Sequence, residues 1–119
     1  SMLESGKSGL WIETYDFISE IQSGYEDGSS LKRLEAAQRA DVILLDDFGD
    51  KSRTNAESDD RRRIIYQLIN YRHNNGLPML ITSNLTAAEM SMQFGQRTVE
   101  RIIESCAWVK VGGDNLRLF

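Results

Sequence analysis

The chain has 119 residues, of which 40% are hydrophobic and 27% are charged, which is enough for one compact domain and too little for two. A net charge of −4 at pH 7 excludes a general electrostatic affinity for nucleic acid, so such contacts would need a local basic patch. The one cysteine excludes an internal disulfide, and no apolar run approaches the roughly 20 residues that cross a bilayer, so we expect a cytoplasmic protein without membrane segments.

Short apolar runs alternate with amphipathic segments along the chain, and this alternation predicts an α/β fold with a parallel sheet. The first predicted strand is Leu10–Glu13, followed by a helix that Thr14 caps and Gly24 ends. A second short helix is capped by Ser29 or Ser30.

The middle of the chain contains two further predicted strands with a long helix between them. The run Val42–Leu45 has four apolar residues without alternation, which predicts a strand covered on both faces. Ser58 caps the long helix, Gly76 ends it, and the strand Met79–Thr82 follows.

The last third of the chain predicts two short helices and a hairpin. Thr86 and Glu89 have the spacing of a capping box for the first of these helices. The second helix is expected to hold Val99, Ile102 and Ile103 inward, and the arms of the hairpin are Ala107–Val111 and Leu116–Phe119.

Polar side chains follow the ends of two predicted strands. Asp46 and Asp47 come directly after the apolar run of VILLDDFGD, Val42–Asp50, and Asn84 follows the next strand in the run ITSN. Ligand sites of open α/β sheets lie at the carboxyl ends of the strands. There Asp46 can hold the water shell of a magnesium ion and Asp47 can orient an attacking water. The alternative is a strand that ends in a solvated acidic turn, with Asn84 as a turn residue.

Two arginines four residues apart, Arg97 and Arg101, are expected on the outer face of the last helix, opposite its apolar side chains. Such a rigid, outward arginine can supply charge to the phosphate of another subunit. In the alternative interpretation they are ordinary surface residues that pair with Glu100 and Glu104.

The segment Gly6-Lys7-Ser8 resembles the end of a phosphate-binding loop but lacks the required glycine five residues earlier, so we interpret Lys7 as a loop residue. Local basic residues are the candidates for contacts with single-stranded DNA, although each of them also fits a solvated face. They are Lys32, Arg33, Lys51 and Arg53, with Arg61–Arg63 as a further cluster.

Three segments together resemble the DnaC/DnaI helicase loaders and their IstB transposition relatives, which are AAA+ ATPases. These segments are VILLDDFGD, IIYQLINYRHNNGLPMLITSNLT (Ile64–Thr86) and FGQRTVERIIE (Phe94–Glu104). The resemblance implies that Asp46 and Asp47 are the Walker B pair, with Asp46 nearest to Mg²⁺, and that Asn84 is the sensor 1 residue. It further implies an arginine finger at Arg101 with Arg97 as the second candidate, and Arg117 as a candidate for a sensor 2-like contact with ATP.

The resemblance also implies a fold, a three-layer parallel sheet of the P-loop NTPase type, of which the P-loop strand and first helix are missing here. We treat residues 1–119 as a single, partial AAA+ domain in which residues 1–9 are a tag remnant and the end of the missing helix. The missing strand would leave a slot between the strand ending at Thr82 and the one beginning near Ala107. A second chain could fill this slot, or the strands could rearrange to close it. Without a P-loop, the chain is expected neither to bind ATP tightly nor to hydrolyse it.

The function implied for the parent protein is ATP-dependent loading of a replicative DNA helicase onto single-stranded DNA, within a self-assembled primosomal complex of a bacterium, phage or mobile element. The alternatives are an IstB-like transposition ATPase and a non-catalytic interaction module with the AAA+ fold.

Overall fold

The computed structural model describes residues 9–50 and 57–105 in full and, in addition, the backbone of residues 107–111 and 114–118. The elements are β1 (Gly9–Glu13), α1 (Thr14–Ser23), α2 (Ser29–Arg39), β2 (Val42–Asp46), α3 (Asp59–Asn74), β3 (Met79–Ser83), α4 (Ala87–Phe94), α5 (Gln96–Ser105), β4 (Ala107–Val111) and β5 (Asp114–Leu118). The predicted α/β class is confirmed. None of the described helices is long and apolar enough to span a bilayer.

The sheet has the strand order β1-β2-β3-β5-β4. Its first three strands are parallel, and β5 pairs antiparallel with both β3 and β4. The expected slot beside β3 is therefore closed within the chain, because β5 lies against β3 with Thr82 opposite Leu116. The second arm of the hairpin begins at Asp114 rather than at Leu116 as predicted.

One face of the sheet carries the core. The side chains that alternate along β1, β2 and β3 on this face are buried with those of the helices; on the sheet they are Ile12, Ile43, Leu45, Met79 and Ile81. On the opposite face Leu44 and Leu80 are partly exposed and Trp11 is 73% exposed. β2 is therefore buried on one face and partly covered on the other, whereas full coverage of both faces was predicted.

The beginning of α1 differs from the prediction. Glu13, and not Thr14, is the N-cap residue, and its carboxylate accepts the backbone N–H groups of Tyr15 at 3.3 Å and Asp16 at 2.8 Å. Thr14 is the first helical residue, and its hydroxyl donates to the backbone oxygen of Asp46 at 2.8 Å. The hydroxyl that was expected to cap α1 therefore ties α1 to the end of β2.

The beginning of α2 also differs, since Gly28 is its N-cap residue and the carboxylate of Asp27, the residue before it, accepts the backbone N–H of Ser29 at 2.9 Å. Gly28 has φ +79°, a backbone conformation that glycine adopts without steric cost. The chain thus begins α2 at Ser29 by a left-handed turn instead of a serine cap. By contrast, the caps predicted for α3, at Ser58, and for α4, the Thr86–Glu89 capping box, are confirmed.

A fully buried arginine holds the other end of α2. The guanidinium of Arg72, on α3, donates to the backbone oxygens of Ala37 at 3.1 Å, Gln38 at 3.2 Å and Ala40 at 2.6 Å. It also donates to the oxygen of Pro78 at 2.7 Å, just before β3. Burial lowers the pKa of Arg72 to about 10. This side chain satisfies carbonyls that the end of a helix leaves without partners.

The inner face of α5 consists of Thr98, Val99 and Ile102, all of which are buried. Ile103 was expected there as well, but it is 48% exposed. Successive residues of a helix differ by about 100°, so the buried face formed by Thr98, Val99 and Ile102 is centred near Ile102, and Ile103 lies at its margin, on the side of Val99.

Candidate functional site

The carboxyl ends of the three parallel strands bring several polar side chains to one edge of the sheet. Glu13, at the end of β1, is opposite Asp46, at the end of β2. Beside them lies a cleft of about 320 Å³ lined by Glu13, Tyr15, Asp47, Gly49, Asp50 and Asn84. β2 and β3 are direct neighbours, so Asn84 and the acidic pair lie at the same edge, as their positions after these strands predicted.

The carboxylate of Asp46 is half-buried and held by three donors. The indole N–H of Trp11 donates to its Oδ2 at 3.3 Å, and the backbone N–H of Asp47 donates to its Oδ1 at 3.1 Å. The hydroxyl of Thr82, on β3, also donates to Oδ1. The orientation of this carboxylate is thus fixed by side chains from β1 and β3 and by the backbone N–H of the next residue, Asp47.

Asp47 follows in a left-handed backbone conformation with φ +53°, while its side chain is exposed. Its backbone N–H donates to Thr82 Oγ at 3.0 Å, and the next N–H, of Phe48, donates to the backbone oxygen of Thr82 at 2.8 Å. Thr82 therefore contacts both residues of the acidic pair. We did not predict this role, although its signal was present in the run ITSN.

The loop after the acidic pair is fixed by contacts with Leu85 and with Gln93 of α4. Gly49 has φ +90°, and a Cβ at this position would lie 2.1 Å from Leu85 Cδ1, so any other residue would strain the backbone and displace the Leu85 side chain. Gln93, buried on α4, accepts the backbone N–H of Asp50 at 3.1 Å and donates to its backbone oxygen at 2.7 Å. Sequence analysis missed Gln93, because a glutamine on a helix gives no local signal of burial.

The donor set of this edge fits a magnesium ion that arrives with phosphate groups. Among the described residues, no three His, Cys, Asp or Glu side chains are close enough to form a metal cluster. Mg²⁺ is commonly held by one or two carboxylates, with waters and the phosphates of a substrate supplying its other ligands. Asp46 and Asp47 can supply these carboxylates, and Asn84 lies on the same cleft to contact a phosphate or a water.

Arg97 and Arg101 both contact α3. The guanidinium of Arg97 lies 4.9 Å from the ring centroid of Tyr66 and donates to its hydroxyl at 3.0 Å. Arg101 donates through Nε to Asn70 Oδ1 at 3.2 Å and pairs with Glu104 at 3.4 Å. Arg97 is exposed, as predicted, but Arg101 is half-buried and does not project freely from α5.

The same contact between α3 and α5 includes a histidine. His73 on α3 lies with Nδ1 2.5 Å from Ser105 Oγ and with Nε2 3.2 Å from Glu104. Glu104 thus contacts both His73 and Arg101, so Arg101 belongs to a network that joins the two helices.

Of the residues predicted to contact DNA, Lys32, Arg33 and Arg61–Arg63 lie within the described part of the chain. Lys32 is exposed on α2, and Arg33 pairs with Glu20 at 2.7 Å and lies over the ring of Phe17. Lys51, Arg53 and the Gly6-Lys7-Ser8 segment lie outside the described residues, as does the side chain of Arg117. The backbone of Arg117 is placed opposite Ile81 of β3.

Comparison with known proteins agrees with this geometry. A family model described as IstB-like ATP binding protein matches residues 1–119. A protein in an insertion sequence of Mycobacterium tuberculosis, described as ATP-binding, is 32% identical over 74 residues, which are 62% of this chain. The crystal structure of the DnaC helicase loader matches with a TM-score of 0.74 and 27% identity over 87% of this chain.

The chain corresponds to only part of these relatives. The matched region is 28% of the insertion-sequence protein and 61% of the helicase loader. The match to the loader confirms that the α/β sheet is of the P-loop NTPase type and incomplete.

Proposed function

Because this chain belongs to the family of IstB-like ATP-binding proteins, we propose that it forms the part of an ATPase core that holds Mg²⁺ and orients the attacking water. The observation that carries this proposal is the shared edge at which Asp46, Asp47 and Asn84 meet. The reaction is hydrolysis of ATP to ADP and phosphate by the longer parent protein.

Each residue of this edge has a separate task in the proposal. Asp46, whose carboxylate is fixed by three donors, binds the water shell of the magnesium ion. Asp47 is more exposed and accepts a hydrogen bond from the water that attacks the terminal phosphate. Asn84 donates to a phosphate oxygen or to the same water through its side-chain amide. Bound Mg²⁺ supplies neutralisation of the charge that develops on the phosphate oxygens.

Substitution of the acidic pair in the parent protein tests this assignment. Asp46→Asn is expected to raise the Mg²⁺ concentration that hydrolysis requires, whereas Asp47→Asn keeps binding of Mg·ATP and loses turnover. Asp16→Asn is a matched control, since Asp16 is an exposed acid in the first turn of α1. Full turnover by Asp47→Asn would refute the role of Asp47.

For the arginine that acts on the nucleotide of a neighbouring subunit, we propose Arg101, with Arg97 as the second candidate. An arginine finger supplied in trans contributes roughly 10³ to 10⁵ in kcat. Arg101→Ala in the parent protein is expected to keep ATP binding and lose assembly-dependent hydrolysis. A mixture with Asp47→Asn should regain activity, because one subunit retains the acid and the other the arginine. Absence of recovery in a mixture that co-assembles would exclude Arg101 as a trans-acting residue.

Two cellular roles are compatible with such an ATPase. The similarity to the helicase loader over 87% of this chain supports a cytoplasmic protein that places a replicative helicase on single-stranded DNA. The similarity to an insertion-sequence protein supports the second role, an ATPase that works with a transposase. Co-purification of the parent protein with the helicase or with the transposase from its own host distinguishes them.

A further inference from the structure

A second cleft, of about 380 Å³, lies between the beginning of α3 and the beginning of α5. It shares no lining residue with the cleft beside Asp47. Among the described residues that line it are three arginines, Arg62, Arg63 and Arg97, and one acid, Asp59. This local excess of positive charge contrasts with the net charge of −4 of the whole chain.

Arg62 is half-buried, and its side chain makes no hydrogen bond or ion pair within the described part of the chain. Its guanidinium lies against the backbone of Gly95, where an added Cβ would be 2.7 Å from Arg62 Nη2. Gly95 has φ +101°, so glycine is favoured here for its backbone as well as for the space it leaves. A partly desolvated cation without a partner is costly, and an anion in the cleft would remove this cost.

Arg97 is the second arginine of this cleft that has no carboxylate partner among the described residues. Its guanidinium is held by the ring and the hydroxyl of Tyr66, which fix its position without neutralising its charge. The third arginine differs, because Arg63 pairs with Asp60 at 2.5 Å. In addition, α5 begins at this cleft and has no acidic residue in its first turn, so the positive end of its dipole is not neutralised from within the helix.

We propose that this cleft binds a phosphate group through Arg62 and Arg97. The planar guanidinium donates two parallel hydrogen bonds to the oxygens of a phosphate, which a single ammonium cannot do. Two such cations in one small cleft fit a compact, multiply charged group, namely the terminal phosphates of a nucleotide or an inorganic polyphosphate. A nucleic-acid strand is instead bound by a groove that follows its backbone and by aromatic rings on which its bases stack. In this cleft the ring of Tyr66 is covered by Arg97.

Titration of the chain with pyrophosphate by isothermal calorimetry tests the proposal. It is done at low salt and without Mg²⁺, so that the carboxylate edge does not contribute. Saturable binding is expected, and Arg62→Gln and Arg97→Gln should each weaken it about tenfold, since a hydrogen bond to a charged group contributes about that much. Arg62→Lys should recover part of this loss, because it keeps the charge but not the planar donors.

Two arginines serve as matched controls. Arg63 lines the same cleft but is neutralised by Asp60, so Arg63→Gln is expected to weaken binding less than about threefold. Arg33 lies over the ring of Phe17, as Arg97 lies over that of Tyr66, but it pairs with Glu20, and Arg33→Gln should leave the affinity unchanged. Thermal unfolding by circular dichroism verifies that every variant is folded.

Three outcomes would overturn the proposal. The first is the absence of saturable binding by the folded chain. The second is an equal loss of affinity in Arg33→Gln and Arg62→Gln, which would indicate a general response to charge. The third is displacement of pyrophosphate by a single-stranded oligonucleotide without terminal phosphates at the same phosphate concentration. That result would assign the cleft to a nucleic-acid backbone.

Discussion

Replacement of Arg72 by methionine is expected to destabilise the domain strongly. The guanidinium donates to four backbone oxygens, three at the end of α2 and one before β3. Methionine is also unbranched and fills part of the space, but it is shorter and leaves these oxygens without a donor. The tie between α2, α3 and β3 is then lost.

The magnitude follows from two opposing terms. A hydrogen bond that involves a charged group contributes about 1.5–3 kcal/mol. The two N–H groups of Nη1 are shared among three oxygens and Nη2 donates to the fourth, so about 2 kcal/mol for each of these three N–H groups gives about 6 kcal/mol. Burial of the guanidinium opposes this, because the pKa of Arg72 falls from 12.5 to about 10. At about 1.36 kcal/mol per pKa unit, that change corresponds to a cost of about 3 kcal/mol. Arg72→Met should therefore lower the free energy of unfolding by about 3 kcal/mol, out of the 5–15 kcal/mol typical of a domain.

Urea denaturation followed by circular dichroism measures this loss. Arg72→Lys should lie between the wild type and Arg72→Met, because its ammonium keeps the charge but reaches fewer of the oxygens. Arg39→Met is the control, since Arg39 is exposed in the last turn of α2 and should change stability by no more than about 0.5 kcal/mol. If the free energy of unfolding of Arg72→Met lies within about 1 kcal/mol of that of the wild type, the argument that Arg72 stabilises the fold through four carbonyl oxygens is refuted.

Substitutions at three further places test other features. The pKa of Asp60 is lowered to about 2 by three side-chain donors. The ionised carboxylate therefore adds to the free energy of unfolding, by less than about 1 kcal/mol at this exposed site. This stabilisation is present above pH 4 and is lost as the pH falls towards 2. The stability difference between wild type and Asp60→Asn should shrink over that range in urea titrations, and a constant difference would contradict it. Gly49→Ala should lower the melting temperature more than Gly28→Ala does. Both glycines have positive φ, but only at Gly49 would the new Cβ meet Leu85. Equal melting temperatures of the two variants would argue against this. Thr82→Val should lower turnover in the parent protein and Thr82→Ser should restore it, whereas a loss in both variants would indicate that the hydroxyl is not responsible.

The edge of the sheet was predictable because its signals are local. Apolar runs predict β2 and β3, and polar residues directly after them must lie at the carboxyl edge if the strands are parallel. Placing Asn84 on the same edge as Asp46 and Asp47 therefore required only that β2 and β3 be neighbours.

The contacts that join distant parts of the chain were not predictable in this way. Thr82 and Asp46 are 36 residues apart, and their hydrogen bond depends on the register of two strands. Arg72 lies in a polar stretch of α3, and arginine is seldom fully buried, so its four carbonyl partners left no trace in the local pattern. Closure of the sheet within the chain was one of two alternatives left open, and the sequence did not predict that β5 rather than β4 would pair with β3.

The left-handed backbone of Asp47 restricts which amino acids can occupy that position. Asparagine and aspartate tolerate positive φ better than other residues with a Cβ, whereas glutamate and alanine are less suited to it. The turn therefore favours the shorter of the two acids, independently of any chemistry at the carboxylate. An alanine at this position would combine loss of the carboxylate with backbone strain of about 1 kcal/mol. Asparagine removes the charge of the carboxylate and tolerates the same backbone conformation, so Asp47→Asn reports on the carboxylate alone. The backbone conformation at Asp47 thus favours aspartate here and also determines which substitution tests its role.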